Sequence, residues 1–82
     1  MKVRAQFFSR LRDIASTSEI EVELSNDALT VRDLLGNLYT LFPELAKWDA
    51  HILTAIGVEY VNREHVLKPD DAVAIMPPVQ GG

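Results

Sequence analysis

One stretch of this chain repeats its apolar residues at helical spacing over three turns, and the rest of the sequence has to be arranged around it. Val31, Leu34, Leu35, Leu38 and Phe42 fall on one side of a helix that begins at Thr30. Thr30-Val31-Arg32-Asp33 has the form of a capping box, with Leu29 and Leu34 placed as a hydrophobic staple across the helix start. Pro43 ends the helix, because the residue before a proline is pushed out of the α region. Pro43 to Trp48 has room for one more helical turn. A chain of 82 residues makes one small domain. With a single long helix, the apolar stripe has only a sheet to pack against.

Short alternating segments supply that sheet. Val3, Ala5 and Phe7 alternate with Lys2, Arg4 and Gln6 as a first strand with one buried face. Ser9 is placed to cap a short helix that puts Leu11, Ile14 and Ala15 on one side. Glu19 to Leu24 alternates strictly, its three glutamates forming a solvated face. Ser25-Asn26-Asp27 reads as a turn. His51 to Val58 and Tyr60-Val61 read as strands, with Gly57 near the bend between them. Asn62 to His65 and Lys68 to Asp71 are turn-rich, and Val73 and Ile75 alternate with Ala74 and Met76 in a last strand. The order predicts a two-layer α+β domain with a mixed sheet and one main helix across one face. If the first and last strands are neighbours they run parallel, because the helix supplies a crossover. This is a ubiquitin-like β-grasp arrangement, expected over residues 1–76, with 77–82 as an extended functional tail.

Composition narrows the chemistry. The chain has no cysteine, which removes disulfides, thiolate zinc sites and a cysteine nucleophile, and fits a reducing compartment. The N-terminal residues lack a signal-peptide pattern, and no apolar run approaches the ~20 residues of a membrane span. The expected location is cytoplasmic. Net charge is −4, yet four of the eight basic residues (Lys2, Arg4, Arg10, Arg12) lie in the first twelve positions, which contain no acid. The remaining residues carry four bases against twelve acids, a balance that disfavours nucleic acid and anionic lipid. His51 and His65 are fourteen residues apart without a ligand-spaced companion, so no metal is expected. Asp70 and Asp71 read as turn residues rather than an acid–base pair. There is no phosphate loop and no nucleophile elbow.

The C-terminal residues stand apart from this background. Two final glycines occur by chance in roughly one chain in two hundred, taking glycine at about 7%. Pro77-Pro78 holds the chain extended, and Gly81-Gly82 is bare backbone. Such an arm can thread a narrow channel and deliver the Gly82 carboxylate to another protein's active site. A short frayed end would show the same glycines without the prolines. Strand alternation turns Met76 outward and leaves Phe8 either facing out or at a bulge; with Tyr60 on the same face they would form an apolar docking surface beside the arm, the alternative being that they pack into a satellite core.

Phe7-Phe8, the capped helix from Thr30 and the segment Ala74-Ile75-Met76-Pro77-Pro78-Val79-Gln80-Gly81-Gly82 resemble the small subunit of molybdopterin synthase over the whole chain. Gly57 stands where that family often has asparagine. Asp70-Asp71-Ala72 stands where Gly-Asp-Glu is common; aspartate can adopt a left-handed conformation at some cost, so the turn is expected to survive. The resemblance implies that an adenylyltransferase similar to ubiquitin-activating enzymes uses ATP to adenylate Gly82. Sulfur from a persulfide donor then replaces AMP and leaves a thiocarboxylate on Gly82. Residues Pro77, Pro78, Val79, Gln80 and Gly81 would carry it into the large synthase subunit, in a heterotetramer, where it builds the dithiolene of molybdopterin. The chain would hold no permanent cofactor and would not be catalytic alone. A protein modifier that joins Gly82 to a lysine, and a sulfur carrier for tRNA thiolation or another pathway, begin with the same adenylation.

Overall fold

The computed structural model of the chain describes residues 1–25 and 29–78. In chain order the elements are β1 (Lys2–Phe7), α1 (Ser9–Ala15), β2 (Glu19–Glu23), α2 (Val31–Leu41), α3 (Pro43–Ala46), a 3-10 turn (Asp49–His51), β3 (Leu53–Ile56), β4 (Glu59–Tyr60) and β5 (Ala72–Met76). The strands form a mixed sheet in the order β2-β1-β5-β3-β4. β1 and β5 lie side by side at its centre and run parallel, from Arg4 opposite Ala72 to Phe7 opposite Ile75. The other pairings are antiparallel. This is the β-grasp topology expected from the order of the elements.

Alternation decides which face of the sheet is covered. Val3, Ala5 and Phe7 from β1, Val22 from β2, and Val73 and Ile75 from β5 are buried. They meet Val31, Leu34, Leu35 and Leu38 of α2, which are also buried, together with Leu11 of α1 and Leu45 of α3. Phe42 packs its ring edge against Phe7, with centroids 5.8 Å apart. Thr54 is the one buried polar side chain on this face among the described residues, and its hydroxyl donates to the Val61 carbonyl at 2.8 Å.

Local chemistry fixes the helix start as expected. The Asp33 carboxylate accepts from the Thr30 amide at 2.8 Å and from the Thr30 hydroxyl at 3.0 Å. These two bonds hold the Asp33 carboxyl below the usual carboxylate range. Leu34 is buried in the core and Leu29 is partly buried against it, the positions a staple uses. Asp70 takes the left-handed conformation, with φ 69°, and its amide donates to the Lys2 carbonyl at 2.7 Å. The turn therefore ties the start of β1 to the approach of β5.

Two expectations need correction. Ser9 does not cap α1: Phe8 occupies the N-cap, no side-chain bond is made there, and Ser9 is the first helical residue with φ 54°. The start of α1 is set by β1 leaving β5, because the Phe8 amide donates to the Ile75 carbonyl at 3.2 Å. His51 and Ile52 are not strand. Asp49–His51 is a 3-10 turn, held from outside by Tyr39, whose hydroxyl donates to Asp49 at 2.5 Å, and by Arg63, which donates to the same carboxylate at 2.7 Å. Arg63 also donates to the Asp49 carbonyl. The turn expected at 25–27 falls on Asn26 and Asp27, which lie outside the described residues.

Candidate docking face and tail root

The face of the sheet opposite α2 carries two of the exposed large apolar residues, Phe8 and Tyr60; Leu41, Val58 and Val66 lie on α2 and on loops. Register partners point to the same face. One row across the sheet is Glu19, Gln6, Ala74, Ala55 and Tyr60. The next row pairs Met76 with Leu53. Phe8 continues β1 by one extended residue, φ −123° and ψ 150°. It therefore lies alongside Met76, facing away from buried Phe7.

The three residues expected to dock partners thus share this face. Phe8 is 46% exposed and Tyr60 67%, while Met76 is half-buried. Phe8 and Met76 are neighbours at the root of the tail. Tyr60 sits on the edge strand β4, with β3 between it and β5. Leu53 escaped sequence reasoning. It was read within a longer strand starting at His51, which gave no basis for singling it out, and only its pairing with Met76 brings it to the patch. Ala55 and Ala74, between Tyr60 and Gln6, make a low floor. A hollow of about 210 Å³ lined by Leu53, Thr54, Tyr60 and Val61, among others, opens at the β3–β4 edge of the sheet.

The candidate arm begins where β5 ends. Pro77 and Pro78 follow Met76 without further strand pairing. Val79, Gln80, Gly81 and Gly82, the rest of the expected arm and its reacting end, lie outside the described residues. Among the described residues no group of three acidic or histidine side chains converges as a metal site. No described helix is long and apolar enough to cross a membrane.

The clamp on Asp49 anchors the segment leading into β3. Burial, then the Asp49 carboxylate, push the Tyr39 hydroxyl far above its ordinary value. The hydrogen bonds from Tyr39 and Arg63 hold the Asp49 carboxyl low. Both effects keep Tyr39 protonated and Asp49 charged at neutral pH. The clamp is structural: it joins α2 to the 3-10 turn and to the loop after β4.

Comparison with known proteins places this geometry. The chain is 33% identical over 84 residues to a molybdopterin synthase sulfur carrier subunit from Chlamydomonas reinhardtii, the alignment covering all of both chains. A solved structure of molybdopterin converting factor subunit 1 from Pyrococcus furiosus superposes with a TM-score of 0.86 at 30% identity, covering 96% of this chain and 99% of the other. Small archaeal modifier protein 1 from Haloferax volcanii gives 0.85 at 24% identity over the full length of both. Subunit 1 in its complex with subunit 2 of the molybdopterin-converting factor of Helicobacter pylori gives 0.68 at 22%, again over all of both chains. The last two likenesses speak to the fold alone. The sequence pattern of the ThiS family matches residues 5–82, and the chain belongs to that family.

Proposed function

We propose that this chain is a cytoplasmic sulfur carrier that works as the small subunit of molybdopterin synthase. The observation that carries this reading is the end-to-end alignment with a sulfur carrier subunit at 33% identity. The Pro-Pro-Val-Gln-Gly-Gly ending of this sequence supplies the chemistry.

A free carboxylate is a poor electrophile. An adenylyltransferase would join the Gly82 carboxylate to the α-phosphate of ATP, releasing pyrophosphate. A persulfide sulfur would then attack the acyl carbon and expel AMP, giving an acyl disulfide with the donor; attack of a second thiol on the donor's sulfur would form a disulfide there and release the thiocarboxylate. Residues 77–82 form the arm that carries this group into the large subunit. There it would donate sulfur to a pyranopterin precursor, with acid–base residues supplied by the partner. Phe8, Tyr60, Met76 and Leu53 would seat the body against that partner while the arm enters.

Deleting Gly82 tests the reading. It moves the terminal carboxylate back by about 3.3–3.6 Å, one extended residue. A misplacement of 1 Å can cost around a hundredfold in rate. The deletion variant is expected to fold normally and lose sulfur transfer. The intact protein is expected to carry one sulfur in place of one oxygen when isolated from sulfur-supplied cells, as read by mass spectrometry. Product formed at the normal rate by the deletion variant, with its partners and donor present, would overturn the sulfur-carrier reading. Isopeptide-linked ladders without product formation would favour a modifier.

A further inference from the structure

The charge on this protein is distributed against its own balance. Acids outnumber bases by twelve to eight, so each base has many candidate partners. Of the four bases beyond residue 12, Arg32, Lys47 and Arg63 are ion-paired with Glu64, Glu44 and Asp49, while Lys68 makes no ion pair with any described residue. In the first twelve residues Lys2 pairs with Glu21, but Arg4, Arg10 and Arg12 make no ion pair with any described residue. Arg10 and Arg12 are both exposed on α1. That helix starts one residue after Phe8, whose amide is bonded to Ile75 just before the tail root. Two unpaired arginines therefore stand on the helix that follows the end of β1, next to the end of β5 where the arm leaves the body.

We propose that Arg10 and Arg12 form a basic docking rim that pairs with carboxylates around the mouth of the channel that receives the tail, on the large synthase subunit. The inference rests on the function proposed above. Six residues of extended chain reach at most about 20 Å, so these arginines stand far from the chemistry at Gly82 and meet the partner's outer surface. Charges in that position act on encounter. They orient an otherwise acidic protein so that its tail-bearing end approaches first, and their effect weakens as salt shortens the screening length.

The test measures association of the full-length chain with the large synthase subunit of the same organism across 50–500 mM salt. The unaltered chain is expected to associate more slowly as salt rises. The double variant Arg10→Glu/Arg12→Glu should associate at least about tenfold more slowly at low salt and lose that salt dependence. Arg10→Lys/Arg12→Lys should retain it. Lys68→Glu, a reversal at the other end of β5, should leave the rate within about twofold, and circular dichroism should report an unchanged fold in all variants. Equal rates and equal salt slopes for the unaltered and double-reversed chains overturn the rim while leaving the proposed function standing. Failure of the unaltered chain to bind the large subunit overturns both. Retention of a tRNA by the unaltered chain, lost in the reversal while large-subunit association is unchanged, overturns it in favour of a nucleic-acid surface.

Discussion

Gly36 lies inside α2 on its exposed side, and a methyl group added there would meet nothing within 4 Å. Glycine in a helix interior costs about 1 kcal/mol relative to alanine, because it gives up more backbone freedom on folding. Gly36→Ala is therefore expected to stabilise the domain by about that amount, raising Tm by roughly 4–8 °C in a domain of this size; thermal unfolding by circular dichroism reads it directly. Gly57 has equal room for a methyl group but the opposite outcome. Its φ of 63° is the left-handed conformation that the turn between β3 and β4 requires. Gly57→Ala is expected to destabilise by about 1 kcal/mol, so the two alanine variants should move Tm in opposite directions. Space alone does not set the sign; backbone conformation does.

Among the elements, the 3-10 turn at Asp49–His51 depends on groups brought from elsewhere. Tyr39 of α2 and Arg63 of the loop after β4 converge on one carboxylate. The Asp49 carboxyl is held below the usual range in the folded state. Its contribution is therefore fully present above the unfolded value near pH 4 and is lost as pH falls through the folded value. Denaturant titrations at pH 7 and at successive steps below pH 4 should show stability falling with acid. Asp49→Asn should flatten part of that fall, with Asp33 at the cap of α2 contributing another part by the same logic. What was legible in the sequence follows the same division. The capping box, the α2 stripe, the alternation of β1, β2 and β5 and the bend at Gly57 are encoded by residues a few positions apart, and all appear in the structure. The start of α1 and the true start of β3 are set by Ile75, Tyr39 and Arg63, which are distant in sequence, so a serine and a histidine there were misleading. Leu53 belongs to the candidate surface through a cross-strand partner, which no local pattern announces.

Across the whole molecule, one side of the sheet is filled by α2 and the other presents Phe8, Met76, Leu53 and Tyr60 around a floor of alanines. A negative charge set among them would be stripped of water on docking. Met76→Asp is expected to weaken binding to the large subunit by about a hundredfold, roughly 3 kcal/mol, without unfolding the domain. Calorimetric titration of the variant against the large subunit checks this, and an unchanged affinity would remove the face from the interface. The parallel pairing of β1 with β5 has another consequence, for how the protein is made. Within this domain β1 can find only one of its two sheet neighbours until residues 72–76 have been synthesised. Val73 and Ile75, buried in the core, arrive with that strand. The core of the domain therefore closes only once β5 is available to dock. A chain interrupted before β5 would have neither a finished core nor the segment that leads to the glycines, so the fold and the arm are lost together.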